Sequence, residues 1–143
     1  MEFEEFSEIL EKKAKKIEVV LNVKQIRKFF DYYLLLIEWN EKMNLTAITE
    51  VNDVILKHFI DSLTICKYLP QNAKIIDVGT GAGFPGISIK IYREDTQITL
   101  LDSLNKRVLF LQEVINKLDL KSIEAIHGRA EEYAKNKEYR EKY

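Results

Sequence analysis

Four of the chain's five glycines fall within eight residues, Gly79-Thr80-Gly81-Ala82-Gly83-Phe84-Pro85-Gly86, immediately after the short apolar run Lys74-Ile75-Ile76-Asp77-Val78. A run this short, stopped by glycines, predicts a buried strand. Glycines at such a stop allow tight turns and bring a ligand close to the main chain. A helical pattern follows from about Pro85 to Tyr92, then a strand pattern over Gln97 to Leu101, a helix over Lys106 to Leu118 and a strand over Ile123 to Ile126. The alternation β-α-β-α-β with short connections predicts an α/β unit whose strands are parallel and whose crossovers are right-handed.

The first seventy residues read differently. Phe3, Phe6, Ile9, Leu10 and Ile17 recur at helical spacing among Glu and Lys, which marks an amphipathic helix. Asn22 with Gln25 three residues on resembles a capping box, and the helix it opens is carried by Ile26, Phe29, Phe30, Tyr33, Leu34 and Ile37 and ended by the polar stretch Asn40 to Asn44. A third helical region spans about Asp53 to Tyr68 and is closed by Pro70. The expected organisation is a helical extension over residues 1–70 and the first half of a doubly wound domain over 71–143. Its first strand belongs at the centre of a sheet yet has one edge without a partner. The chain therefore reads as a piece of a longer protein.

Composition removes several classes. With 22 Lys+Arg against 23 Asp+Glu the formal charge is −1, so RNA contact requires a local patch rather than a basic field over the whole protein. The lone Cys66 forms no internal disulfide and, in an apolar helical context away from any metal-ligand cluster, reads as a buried structural thiol. The start Met1-Glu2-Phe3-Glu4-Glu5 has neither the basic end nor the apolar run of a secretory signal, and no apolar stretch reaches the ~18 residues of a membrane span. A cytoplasmic protein without membrane attachment is expected, with no metal and as a monomer.

Two cofactor classes fit the glycine loop. Gly81-x-Gly83-x-x-Gly86 satisfies a dinucleotide pattern, and Asp77-x-Gly79-x-Gly81-x-Gly83 satisfies a methyltransferase pattern. Asp77 favours the second, because a carboxylate at the strand end orders the loop and faces the positive end of S-adenosylmethionine but repels a pyrophosphate. Asp102 ends the second strand, where a carboxylate either accepts from both hydroxyls of an adenosine ribose or, with Ser103 and Asn105, caps the next helix. Gly128-Arg129-Ala130-Glu131 follows the third strand, and backbone groups of Ala130 and Glu131 are placed to read an adenine edge.

Polar candidates for substrate positioning lie elsewhere. His58 and Asp61, three apart, share a helical face and are within hydrogen-bonding reach; Asn44 follows the second helix. Packing and turn roles explain His58 and Asn44 equally well. For RNA, Lys12, Lys13, Lys15 and Lys16 form a stripe that a solvated helix face also explains, while Arg93, Lys106, Arg107 and Arg129 are expected near the ligand end of the sheet. Arg129 borders the donor pocket, where a guanidinium holds a phosphate or stacks on a base.

The chain closely resembles the ribosomal RNA small-subunit methyltransferase G family, also known as glucose-inhibited division protein B. The resemblance runs through Trp39-Asn40, Asn44-Leu45-Thr46, His58-Phe59-Ile60-Asp61-Ser62-Leu63, Asp77 to Gly86, Leu100-Leu101-Asp102-Ser103, Lys106-Arg107 and Arg129-Ala130-Glu131. It implies a Rossmann-like methyltransferase fold, here a partial parallel sheet with an N-terminal helical extension. It also implies methyl transfer from S-adenosylmethionine to N7 of a guanosine in 16S ribosomal RNA, with the RNA or the small subunit as partner. By the same resemblance Gly79, Phe84, Ala130 and Glu131 contact the donor; the reading of the loop and strand ends adds Asp77, Thr80, Gly81, Gly83, Asp102 and Ser103 to the expected pocket. Family members continue for roughly a hundred further residues, which supply the remaining strands and an arginine of the site. The alternatives are an inactive nucleotide- or RNA-binding fragment and an NAD-dependent oxidoreductase. Guanine N7 carries an in-plane lone pair and no proton, so attack on a sulfonium methyl requires no general base. Positioning then dominates the rate.

Overall fold

Each of the three apolar runs forms a strand: β1 (Lys74–Val78), β2 (Gln97–Asp102) and β3 (Ile123–His127). The computed structural model describes residues 1–129. The strands pair in the order β1-β2-β3, all parallel, with Asp77 opposite Leu100 and Asp102 opposite His127. Parallel neighbours need long crossovers, supplied by α5 (Gly86–Tyr92) and α6 (Asn105–Lys117). Ile75, Ile98, Leu100, Ile123 and Ala125 point into the cluster that holds Ile87, Phe110, Leu111 and Val114 of these helices, as the period-2 alternation of a strand requires. Among the described residues β1 pairs on its β2 side alone, and its last residue, Val78, is 52% exposed.

The N-terminal helices pack on the same side. α1 (Phe3–Lys16) and α2 (Val23–Met43) precede the sheet. The capping box forms as the spacing predicts: Asn22 Oδ1 accepts from the Gln25 amide at 2.8 Å, and Gln25 Oε1 accepts from the Asn22 amide at 2.9 Å. The helix runs through residues 40–43 instead of ending there, and stops when Asn44 takes a left-handed φ of 50°, a conformation asparagine tolerates well. A buried cluster extends without interruption from Phe6 and Leu10 through Phe29, Tyr32 and Phe59 to Leu100 and Val114. The helical extension and the sheet therefore share a core.

Two expectations about the helices are corrected. Tyr33, Leu34 and Ile37 do not form the core stripe of α2; Tyr32 and Leu36 are fully buried, while Leu34 is 44% exposed. From Phe29 to Ile37 every residue but Asp31 is apolar or aromatic, so two adjacent stripes satisfy the helical period and packing selects between them. The second correction concerns the third helical region. It is a short α3 (Val51–Asp53), a π-helical segment (Val54–Ile60), a short α4 (Asp61–Leu63) and a 3-10 turn (Cys66–Tyr68). A π segment inserts an extra residue per bonded turn, a distortion often found at functional sites.

Arg93 is also misplaced by the sequence reading. It follows α5 at the end of the sheet opposite the glycine loop, where its guanidinium donates to the carbonyls of Cys66, Leu69 and Pro70 and pairs with Asp95 at 2.9 Å. It staples the 66–70 turn to the sheet and is not available to RNA. Lys90 does related work: it is 3% exposed, and its ammonium donates to the carbonyls of Glu94 and Thr96. Cys66 is buried as expected, and desolvation pushes its thiol up to about 11, leaving it a poor nucleophile.

Candidate functional site

The glycine loop leaves the carboxyl end of β1, the edge at which parallel α/β sheets bind ligands. Gly79, Gly81 and Gly83 all have positive φ, at 67°, 60° and 98°, a region costly for residues with a Cβ. The four loop glycines divide by what surrounds them. A Cβ built on Gly79 or Gly81 meets nothing within 4 Å, whereas on Gly83 it falls 2.6 Å from Tyr32 Oη, and on Gly86 it collides with Leu100 Cδ2 and lies 2.8 Å from Asp77 Oδ2. Gly79 and Gly81 thus leave open space over the loop. Gly83 and Gly86 let the loop press onto the protein beneath.

Three side chains hold the loop from below. Asp77 Oδ2 accepts from Thr80 Oγ1 at 2.8 Å and from the Gly86 amide at 3.0 Å, tying both ends of the turn to β1. Burial, opposed by these two hydrogen bonds and reinforced by the Asp102 charge, raises the pKa of Asp77 from its ordinary value. Asp102, 1% exposed at the end of β2, accepts from the Gly81 amide at 2.9 Å through Oδ2 and from the Leu104 amide at 2.9 Å through Oδ1. Arg107 stands 3.7 Å from the same Oδ1. Tyr32, on α2, donates its hydroxyl to the Ala82 carbonyl.

The aromatic residues form a connected stack. His58 lies flat on Phe84, with ring centres 4.1 Å apart and planes at 7°, and Tyr32 stacks on Phe84 and on Phe59, each at 5.4 Å. Contacts of this kind add about 0.5–1.5 kcal/mol each beyond burial, so the stack is a substantial tie between the helical unit and the loop. His58 does not pair with Asp61. Its Nε2 shares a 3.0 Å hydrogen bond with Thr46 Oγ1, while Asp61 is exposed. The wider π-helical turn that contains His58 rotates the residue three positions on off its face. Burial lowers the pKa of His58 and the Asp61 charge partly offsets this, so the ring in the stack is neutral near pH 7.

Thr46 links these motifs. Its amide donates to Asn40 Oδ1 at 2.8 Å, and its hydroxyl accepts from the Ile48 amide at 3.0 Å. Asn44 is the exposed left-handed residue that turns the chain from Asn40 toward Thr46; its observed contribution is backbone geometry. Thr80 is 3% exposed, with its hydroxyl directed inward to Asp77. Ser103 is exposed, and its carbonyl lies 3.0 Å from His127 Nε2. Gly128 donates its amide to the Asp102 carbonyl at 3.0 Å, which brings the exposed Arg129 beside the same strand end. Ala130 and Glu131 lie outside the described residues.

The structure thus gathers Asp77, the loop, Phe84, Asp102, Ser103, His58 and Arg129 at one end of the sheet and leaves Arg93 and the α1 lysines away from it. A concavity of about 560 Å³ lined by Lys16, Leu63, Cys66 and Arg93 lies at the other end of α5 and includes no loop residue. Among the described residues no group of three or more His, Cys, Asp and Glu side chains is placed to hold a metal, and no helix is long and apolar enough to cross a membrane. Sequence reasoning missed Tyr32, because the apolar stripe it chose on α2 runs through Tyr33 instead, and it missed the ion pair of Arg107 with Asp102.

A family model described as rRNA small subunit methyltransferase G matches residues 25–141. A protein of that name from Desulforamulus reducens is 59% identical over 136 residues, covering 94% of this chain and 57% of the relative. Those from Clostridium novyi and Thermoanaerobacter sp. are 51% and 52% identical over 96% and 95% of this chain, and each is covered to 58%. The chain spans somewhat over half the length of these relatives.

The site yields two expected outcomes. Gly86→Ala forces a methyl against a fully buried Leu100 and an anchored Asp77 and destabilises by about 2–3 kcal/mol, whereas Gly81→Ala costs about 1 kcal/mol of backbone strain; urea unfolding gives the order, and equal losses contradict it. For His58 the folded pKa lies below the unfolded value of about 6.5, so its contribution to stability is intact above that pH and is lost as pH falls through the folded value. His58→Gln flattens this part of the stability profile, and parallel profiles for the two proteins contradict the assignment.

Proposed function

The chain belongs to the rRNA small subunit methyltransferase G family, and from that premise we propose that it carries the S-adenosylmethionine pocket of an enzyme that methylates N7 of a guanosine in 16S ribosomal RNA. The observation that carries the reading is the two-sided glycine loop: open above Gly79 and Gly81, packed beneath Gly83 and Gly86, and flanked by Asp77 and Asp102. S-adenosylmethionine fits this loop better than a dinucleotide. Two carboxylates face the turn with one partial counter-charge, Arg107, a field that favours a sulfonium and disfavours a pyrophosphate.

When bound, the cofactor supplies an electrophilic methyl group on sulfur. The protein's residues position it. Asp77 holds the turn by both ends and contributes negative potential. Asp102, each of whose oxygens keeps a lone pair after its amide bond, accepts from the ribose hydroxyls. Leu104, 51% exposed next to Asp102, offers apolar cover to a purine. Phe84, fixed between His58 and Tyr32, forms a wall of the pocket, and Ser103, Ala130 and Glu131 complete it. Arg129 stands at the rim, where a guanidinium meets a phosphate or a base. A guanine N7 nucleophile has no proton to lose, so the acceleration comes from alignment at near-attack distance.

Calorimetry separates the readings. The chain binds S-adenosylhomocysteine and gives no heat with NAD, and the complete relative transfers a methyl group to small subunits lacking the modification. Heat with NAD and none with S-adenosylhomocysteine would overturn the donor assignment.

A further inference from the structure

Over Gly79–Gly83 the glycine loop has one polar side chain, Thr80, and Gly79 and Gly81 have φ values of 67° and 60° with nothing within 4 Å of a Cβ position. Its form is imposed by anchors from three elements: Asp77 of β1 on Thr80 and Gly86, Asp102 of β2 on Gly81, and Tyr32 of α2 on Ala82. The first two anchors are the acidic residues of β1 and β2. The third comes from the helical extension, 50 positions earlier in the chain, and the reading of the pocket gives its hydroxyl no part.

We propose that Tyr32 is a positioning residue for the methyl-donor loop, its ring clamped by Phe59 and Phe84 so that its hydroxyl fixes the Ala82 carbonyl in the turn that receives S-adenosylmethionine. The proposal rests on the methyl-donor reading above. Tyr32 is 0% exposed, so its hydroxyl must find a partner inside the protein, and it takes the carbonyl at the centre of the loop. The loop is shaped to that hydroxyl as well: a Cβ on Gly83 would stand 2.6 Å from it. The ring has little freedom, since Phe59 and Phe84 both stack at 5.4 Å with planes at 29° and 27°. Burial, with the charge of Asp77 adding to it, raises the hydroxyl's pKa well above the usual tyrosine value, so it remains a donor at every working pH. Phe84, the next side chain along the loop, leans on the same ring. Tyr32 therefore sets both the main chain at Ala82 and the wall at Phe84. On this account the N-terminal helices preorganise the pocket, not merely cover the sheet.

Tyr32→Phe keeps the ring and the stack and removes the one hydrogen bond. On the 143-residue chain, calorimetry with S-adenosylhomocysteine is expected to show about tenfold weaker binding for Tyr32→Phe, and hydrogen exchange of the 79–86 segment to quicken, with the unfolding midpoint within a few degrees of the parent. Tyr33→Phe, which removes a half-buried hydroxyl of the neighbouring residue away from the loop, leaves binding and exchange unchanged. Phe59→Leu, which loosens the ring beneath Tyr32 without touching a polar atom of the loop, weakens binding about threefold, so the clamp is tested even if Tyr32→Phe folds poorly. A lower midpoint with unchanged affinity and unchanged exchange would mean that Tyr32 is structural alone, and equal losses from Tyr33→Phe would also overturn the proposal. If the parent chain binds no S-adenosylhomocysteine, the donor reading fails; exchange over 79–86 still decides whether Tyr32 holds the loop.

Discussion

A turn whose glycines sit at positive φ is the least self-sufficient kind of main chain, since it gives up side-chain contacts to make room for a ligand. Its shape must come from the residues underneath. Here Asp77 spans the turn from Thr80 to Gly86, and much else follows from that one carboxylate. It requires Gly86 to lack a Cβ, because the carboxylate and Leu100 occupy the space. It brings α5 down onto the end of β1, and it stands with Asp102 as one of two carboxylates beneath the loop. Burial makes its ionised form unfavourable, so two hydrogen bonds are needed to keep it where it is.

Much of this was legible in the sequence. The parallel β-α-β-α-β alternation, the capping box at Asn22 and the strand ends at Asp77 and Asp102 are local signals, and the structure contains each of them. What failed was long-range or degenerate. The apolar surface of α2 wraps around more than one stripe, so spacing cannot say that Tyr32 rather than Tyr33 turns inward. The π-helical segment over Val54–Ile60 leaves no mark in the hydrophobic period, and the pairing of His58 with Asp61 fell with the assumption of a regular helix. Arg93 was misassigned because charge in a sequence carries no address; its partners are carbonyls of residues 66–70 on the far side of α5.

The motifs that carry the family resemblance turn out to be physically connected. Asn40 receives the Thr46 amide, Thr46 meets His58, His58 lies on Phe84, and Phe84 leans on Tyr32, which holds Ala82. Trp39, next to Asn40, packs on Phe110 of α6 at 5.6 Å. Segments that look like separate signatures along the chain thus form a continuous path from the end of α2 to the glycine loop. This arrangement explains why a helical extension and an α/β sheet share a core. Among the described residues β1 pairs on its β2 side alone and Val78 is 52% exposed, and the relatives from Desulforamulus reducens, Clostridium novyi and Thermoanaerobacter sp. are longer than this chain.

Selective 15N-glycine labelling tests the central claim most directly, because four of the five glycines lie in the loop and the fifth, Gly128, follows β3. Titration with S-adenosylhomocysteine should move the amide resonances of Gly79 and Gly81 furthest, with Gly86, locked on Asp77, moving less. A spectrum in which none of the loop glycines responds at saturating ligand, or in which Gly86 moves while Gly79 and Gly81 stay fixed, would contradict the account.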